Sequence, residues 1–236
     1  MPARKPPAPP PPSRAGRRAR QDAVDARAAL LSAATRLFAE QGVAATTTRE
    51  ICAAAGLNPG AIHYHFGDKD GLYRAVITGP LQAMKDAQAG FDDPALSLRE
   101  VLQRLLLPFM DAEDDADQRA VMQLFLKEVQ QPSPVFAAVF RELYGPVHQA
   151  MAAVLCRHIG LARPDPAVHQ LLYGLQAMAH DYCLSRPLMD LMTPGMLDAP
   201  GAMDQVAERI VDWGLALVEH ERRRRGLTRK TPRPVR

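Results

Sequence analysis

Apolar side chains recur along this chain at intervals of three and four residues, and no stretch alternates apolar and polar positions two by two. That period predicts helices throughout and no strands, an all-α fold. Leu30, Leu31, Ala34, Leu37 and Phe38 mark the inner face of a first helix that starts near Asp22 or Asp25 and stops at Gly42. Thr47 and Glu50 have the spacing of a capping box, followed by a small apolar face of Ile51, Ala54 and Ala55 and by Gly56 as terminator. Asn58 is placed to cap a third, very short helix with Pro59 at its first position; Gly67 stops it, and Asp68 caps a fourth that carries Leu72, Tyr73 and Val76. Gly79 and Pro80 are expected to kink or break that fourth helix, with Met84 and Phe91 continuing it to about Gly90. Further helices are expected over 96–111, 116–130, 135–159, 167–185 and 203–225, with an irregular loop over 186–201.

The segment from Asn58 to Phe66 stands out. It is barely two turns long and begins Asn-Pro-Gly-Ala. A helix meant only for burial has no use for such an end. One whose leading end must approach another surface closely does, because small side chains let the backbone come near and N–H groups suit phosphate or base acceptors. This is how a helix-turn-helix presents its recognition helix to the major groove.

Those residues also carry a resemblance. The run T-T-T-R-E-I-C-x-x-A-G-L-x-x-x-x-I-x-Y-H-F-x-x-K-x-x-L, from Thr46 to Leu72, resembles the DNA-binding domain of the TetR/AcrR family of bacterial transcription regulators over roughly residues 27–76. The variant A-I-H-Y-H-F-G-D-K-D-G-L-Y is similar to the CecR-like branch, and K-E-V-Q-Q-P-S-P-V-F from Lys127 to Phe136 points the same way. The resemblance implies an N-terminal three-helix helix-turn-helix domain (22–77) and a larger C-terminal helical domain for ligand binding and dimerisation (78–225). They are flanked by an unordered basic, Pro-rich arm (1–21) and a basic tail (226–236). It implies that Thr47 and Thr48 touch phosphate, that Arg49 reaches a base edge, and that Asn58, Pro59, Gly60 and Ala61 lie in the groove. His63 and Tyr64 would touch phosphate or base edges, Lys69 would clamp a flanking phosphate, and His65 would pack inside the small domain. For the larger domain it implies a cavity between helices, for which Phe109, Met110, Met122, Phe125, Phe140, Tyr144, Met151 and Tyr173 are the aromatic and thioether candidates. A dimer interface on the last two long helices would use Leu171, Leu175, Met178, Val206, Ile210, Trp213 and Leu217. The implied activity is that of a ligand-responsive regulator, in most of that family a repressor. It would bind a near-palindromic operator on double-stranded DNA as a homodimer and be released by a small, mostly apolar effector, without a cofactor.

Charge complicates this picture. The net of +3 hides an uneven distribution. Residues 1–21 hold six of the 29 Lys/Arg and residues 222–236 hold eight, with no acid in either; the body keeps 15 against all 26 acidic residues. Residues 22–70 carry four basic and six acidic side chains, few cations for a reader of DNA, whose affinity rests largely on phosphate contacts. The arm around Arg14 to Arg20 is therefore expected to supply charge, inserting into the minor groove. The same ends support an alternative reading: a regulator-like helical protein that binds a partner or an anionic surface through its tails, without operator specificity.

Other chemistry is thinly represented. Cys52, Cys156 and Cys183 are odd in number and lack CxxC spacing, which fits a reducing compartment better than a disulfide framework or a structural zinc. With no secretory signal and no apolar run near the ~18 residues that span a bilayer, the chain is expected to be cytoplasmic with no membrane role. His63 and His65 are two apart, and His180 with Cys183 lacks a suitably spaced carboxylate, so no metal site is expected; His148, His169 and His180 read as core histidines. No GxSxG, GxxxxGK[ST] or HExxH occurs, and the chain does not read as an enzyme.

Overall fold

The structure is a computed structural model and describes residues 14–107 and 116–227. It contains ten helices and no strand among the described residues. They are α1 (Arg14–Gln41), α2 (Thr48–Ala54), α3 (Ala61–Phe66), α4 (Lys69–Ala87), α5 (Leu98–Leu106), α6 (Ala116–Gln130), α7 (Pro134–Ile159), α8 (Pro166–Leu184), α9 (Arg186–Met192) and α10 (Ala202–Arg224). The chain packs as two compact units, and each is described by itself.

The first unit comprises the residues to Ile77 together with Arg119–Val135. Leu30, Ala34 and Phe38 of α1 are buried, as are Ile51, Ile62, Leu72 and Tyr73, so the apolar stripe of α1 and those of three short helices share one core. Each such side chain removed from water contributes roughly 1.5–3 kcal/mol, and the Phe38 and Tyr73 rings add an edge-to-face contact at 5.4 Å. α6 belongs to this unit through two polar anchors. The Tyr73 hydroxyl donates to the buried Glu128 carboxylate, which also accepts from the Ser133 amide at 2.7 Å. The Lys127 ammonium donates to the Ala39 carbonyl at the end of α1. Burial, seconded by the Glu128 carboxylate, pushes the Tyr73 phenol well above its ordinary range, so it stays a donor.

The second unit comprises Thr78–Gln118 and Phe136–Arg236. Its core is made by Leu102 and Leu106 of α5, Met151, Leu155 and Ile159 of α7, Leu172 and Leu175 of α8, and Ile210 and Val218 of α10. Gly214 lets α10 pass close to its neighbours: a Cβ there would meet Leu102 at 3.0 Å and Leu175 at 3.2 Å. Asp165 caps α8 by accepting from the Val168 amide, and Arg225 grips the same carboxylate with two nitrogens at 2.6 and 3.0 Å, tying the end of α10 to the start of α8. Those bonds, the Arg225 pair first, hold the Asp165 carboxyl down at about 2.

Two expectations about elements are corrected, and of the kink or break expected at Gly79 and Pro80 the break does not occur. α1 begins at Arg14, not near Asp22, so residues 14–21 are helical and not part of an unordered arm. Ala and Arg are strong helix formers, and Gln21 donates to Asp25 one turn on at 2.8 Å. Pro80 lies inside α4 without ending it, at the cost of the bond its missing N–H would give Val76. The stretch 186–201 holds a helix, α9, which Ser185 and Pro187 open in the usual order of N-cap and early proline. Expectations for 1–13, 108–115 and 228–236, Phe109 and Met110 included, lie outside the described residues.

Candidate nucleic-acid interface

α2 opens with the expected capping box. The Thr47 hydroxyl accepts from the Glu50 amide at 3.2 Å, and Glu50 Oε2 accepts from both the amide and the hydroxyl of Thr47 at 2.8 Å. These bonds, the backbone one first, hold the Glu50 carboxyl below its ordinary range. They also commit the single hydroxyl proton of Thr47 to Glu50, so Thr47 as placed has none to offer a phosphate. Thr48 and Arg49 are exposed beside it.

The turn that follows is built on Gly56. At φ 68° it sits in the left-handed region, and the bonds Leu57 N to Cys52 O and Gly56 N to Ala53 O close a Schellman motif. Asn58 and Pro59 then depart from the expected roles. α3 starts at Ala61 with Gly60 as its N-cap, and no side chain caps it. Asn58 instead accepts from the Gly60 amide through Oδ1 at 3.0 Å and from the Ala61 amide through its carbonyl at 3.1 Å, forming an Asx turn in front of the helix. The physical reason is competition: the local turn satisfies both amides before a longer helix can form. Asn58, Pro59 and Gly60 are all exposed, and Ala61 is half-buried.

Within α3, Ile62 is buried and fastens the helix to the core, while His63 and Tyr64 face water. Tyr64 is 80% exposed, a phenol with no packing role to justify its size. His63 Nδ1 lies 2.7 Å from the Gly67 carbonyl; because a carbonyl only accepts, Nδ1 carries the proton and Nε2 is the free acceptor. His65 is half-buried and meets the Tyr64 ring edge-on at 4.8 Å. Lys69, half-buried, donates to the carbonyls of Val43 at 2.9 Å and Thr46 at 3.1 Å, so its ammonium braces the turn before α2. Arg27 of α1 lies over the Phe66 ring at 5.1 Å. The exposed polar set is thus Thr48, Arg49, Asn58, His63 and Tyr64, around a turn with no bulk.

The expected ligand residues are divided between the two units; sequence order assigns side chains to helix faces and says nothing of what lies opposite. Met122 and Phe125 sit half-buried on α6 in the first unit, whereas Phe140, Tyr144 and Met151 belong to α7 in the second. Tyr173 is exposed on α8. What the second unit does bring together is a polar group in an apolar core. The Tyr144 hydroxyl donates to Gln88 Oε1 at 3.0 Å, Gln88 Nε2 donates to the Leu105 carbonyl at 3.0 Å, and Gln176 approaches the Met151 sulfur at 3.7 Å, all buried. Burial pushes the Tyr144 phenol up. Beside it Phe136, Phe140 and Tyr144 form a ladder of rings 5.5 and 5.2 Å apart. Neither glutamine stood out in the sequence, since one polar residue on a helical face is indistinguishable from a solvated one.

The expected interface residues divide as well. Leu175 and Ile210 are buried in the chain's own core, a correction, because the stripes of α8 and α10 that face α5 include them. Leu171, Met178 and Val206 are half-buried against that core. Trp213 and Leu217 are exposed, by 42% and 40%. Sequence reasoning missed their strongest companions, Leu188, Leu191 and Met192 of α9, exposed by 62%, 76% and 81%; their spacing of three and one after Ser-Arg-Pro was the available signal. His148 Nε2 and His169 Nδ1 pair at 3.1 Å. Among the described residues no group of three or more His, Cys, Asp or Glu is arranged for a metal, and no helix is long and apolar enough to cross a membrane.

Comparison with known proteins gives two family matches along the chain. Residues 30–76 match the family described as bacterial regulatory proteins, tetR family, and residues 94–217 match the C-terminal domain of the HTH-type transcriptional dual regulator CecR. The HTH-type transcriptional regulator AcrR of Shigella flexneri is 39% identical over 97 residues, which span 38% of this chain and 44% of AcrR. Among solved structures, the ketosteroid transcriptional regulator KstR2 of Mycobacterium tuberculosis superposes with a TM-score of 0.58 at 23% identity, covering 80% of this chain and 93% of KstR2. The SmeT–triclosan complex does so with 0.56 at 23%, covering 78% and 90%. These likenesses show the fold, and the proteins named are regulators, not enzymes. The chain belongs to the TetR family of bacterial transcriptional regulators, with a C-terminal domain of the CecR type.

Proposed function

We propose that this protein is a homodimeric, ligand-responsive repressor that reads a near-palindromic operator with two copies of α3. The observation that carries the reading is the outward presentation of His63 and the 80% exposed Tyr64 behind the bare Asn58-Pro59-Gly60 turn. A phenol and an imidazole acceptor held in water on a core-fastened helix fit groove edges and phosphates. A two-fold dimer would set the two copies about one duplex turn apart, ~34 Å. The apolar side chains left in water on α8, α9 and α10 support a partner copy covering that side of the second unit. A protein reading chromosomal DNA works in the cytoplasm of a bacterium.

The effector fits the interior of the second unit. An apolar core holding the Tyr144–Gln88–Gln176 group beside three stacked rings suits a small, flat, mostly apolar molecule with one hydrogen-bonding end. The names of two structural neighbours, one a ketosteroid regulator and one bound to triclosan, support that class. Its effect on DNA affinity can be no larger than its preference between the bound and released states.

The test is a mobility shift on the intergenic DNA beside the protein's own gene, at physiological salt with competitor DNA. Specific retardation, abolished by Arg49→Ala with His63→Ala, is expected. Binding indifferent to sequence and to both substitutions would refute operator reading in favour of attachment through the basic tails.

A further inference from the structure

The first unit is short of cations for what α3 is proposed to do. Of the four basic residues between 22 and 70, Lys69 donates to two backbone carbonyls, Arg27 lies over Phe66 and Arg36 donates to Ser32 Oγ at 3.0 Å. Only Arg49 has no such contact among the described residues, and six carboxylates surround them in sequence. Yet phosphate neutralisation supplies most of the salt-dependent affinity of proteins for duplex DNA. The missing charge has to come from another element of the unit.

α1 carries it. The helix begins at Arg14 and bears Arg14, Arg17, Arg18 and Arg20 before its first acid, Asp22. Arg18 and Arg20 are exposed, and none of residues 20–29 is buried. From Arg20 to Ala29 the helix therefore buries no side chain; the 13 helical residues before Arg27 span about 20 Å. This free stretch springs from beside α3, because Arg27 rests on Phe66, the last residue of α3. Arg20 lies seven positions before Arg27, about 10 Å of helix, comparable with the width of a major groove. Four arginines and no acid at the positive end of a helix dipole are unfavourable in isolation and become favourable against a row of phosphates. An α-helix is 10–12 Å across, whereas the minor groove is about 6 Å wide. Residues 14–20 as a helix thus cannot enter the minor groove in the way expected of an extended arm.

We infer that the N-terminal turns of α1, Arg14 to Arg20, lie along the DNA backbone beside the segment that α3 reads and act as a sequence-independent phosphate clamp. The inference rests on the reading of α3 as the recognition helix. It assigns the clamp to α1 and sequence discrimination to Arg49, His63 and Tyr64.

The test uses full-length protein and two duplexes of equal length, the intergenic DNA beside its gene and a shuffled version, with affinity read by fluorescence anisotropy over a salt series. Each phosphate neutralised contributes about 0.9 to the slope of log affinity against log salt. Replacing Arg14, Arg17, Arg18 and Arg20 with Gln is expected to lower that slope by about 2–4 on both duplexes and to weaken both by about tenfold or more, while the ratio between them stays as in the wild type. The matching fourfold Lys variant is expected to keep the slope. An unchanged slope in the Gln variant overturns the clamp while leaving operator reading intact, and so does a Lys variant as weak as the Gln one. Wild-type protein that binds neither duplex, or binds both alike, removes the recognition reading and the inference with it. Because Arg18 and Arg20 are exposed, the melting temperature of an Arg18→Gln, Arg20→Gln variant is expected to match the wild type.

Discussion

α3 and α9 are both barely two turns long, and both leave large side chains in water, but the chemistry they expose is opposite. α3 offers a phenol, an imidazole and, from the turn before it, an amide, all near exposed backbone. α9 offers two leucines and a methionine, flanked by Leu184 and Met196. A polar, phosphate-lined groove satisfies the first set and would leave the second unsatisfied. An apolar protein surface does the reverse. The large side chains of the second unit that stand out in water are Tyr173, Leu184, Leu188, Leu191, Met192, Met196, Trp213 and Leu217, and all of them lie on α8 to α10 or the turn after α9. On the reading proposed above, the two short helices mark the two kinds of partner, DNA for one and a second copy for the other.

The largest expected effect breaks the second half of that comparison. Changing Leu188, Leu191 and Met192 together to Ser removes three exposed apolar side chains from each copy. With roughly 1 kcal/mol for each, the dimer Kd should rise a hundredfold or more by sedimentation. The melting temperature of dilute, dissociated protein should stay put, since none of the three is buried. A variant that dimerises like the wild type would remove α9 from the interface.

The first half is tested by Tyr64→Ala. Loss of one exposed ring should weaken specific DNA binding by about 10–100-fold, the worth of one good groove contact, with no change in dimer Kd. Full retention of affinity would mean that the exposed phenol has some other partner.

How far these features could be read from the chain follows the same contrast. The capping box of α2, the glycine stops at Gly56 and Gly67 and the core stripe of α1 each depend on residues within a turn or two of one another, and all were legible. The roles of Asn58 and Pro59 were misjudged because two local structures competed for the same amides. Packing between distant segments was less accessible. Nothing in the order of residues says that Glu128 meets Tyr73, that Gln88 meets Tyr144, or that Ile210 points inward while Trp213, three residues on, points out. A periodic helix has two candidate faces, and only its neighbours decide which is covered.

A smaller effect sharpens the account of α2. Thr47→Ala removes the hydroxyl half of the capping box, the bonds with the Glu50 amide and through the hydroxyl proton, and leaves the backbone amide at position 47 to donate to Glu50; it should lower the melting temperature by a few degrees. It should weaken DNA binding only as far as α2 frays, because the Thr47 hydroxyl proton is already engaged by Glu50. The Glu50 carboxyl is held below 4.5, so the cap contributes above that pH and is lost as pH falls through the lowered value. In Thr47→Ala this part of the acid sensitivity should shrink without vanishing, because the backbone bond to Glu50 remains and only the hydroxyl bond is lost. Retained stability with lost DNA binding would instead return Thr47 to direct phosphate contact.

The smallest expected effect concerns the face of α8 that continues toward α9. His148 and His169 are bonded ring to ring at 3.1 Å, with Tyr173 against His148 at 5.3 Å. One nitrogen of the pair must donate and the other accept, so the contact needs at least one neutral imidazole. Burial, and then the neighbouring His169, depress the His148 pKa below its ordinary 6.5. The unfolded chain therefore takes up the proton first as pH drops past 6.5. The stability this group contributes is present above that value and is lost on acidification toward the folded pKa. Trp213, the only tryptophan, lies in the second unit and reports its melting by fluorescence without interference from the first. Between pH 7.5 and 5.5 the fluorescence midpoint should fall by a few degrees at fixed protein concentration. His148→Gln, which can still bond to His169 without titrating, should reduce that fall while leaving the midpoint at pH 7.5 nearly unchanged. If the fall is as steep in His148→Gln as in the wild type, the pair is a passive contact and acid sensitivity arises elsewhere in the unit.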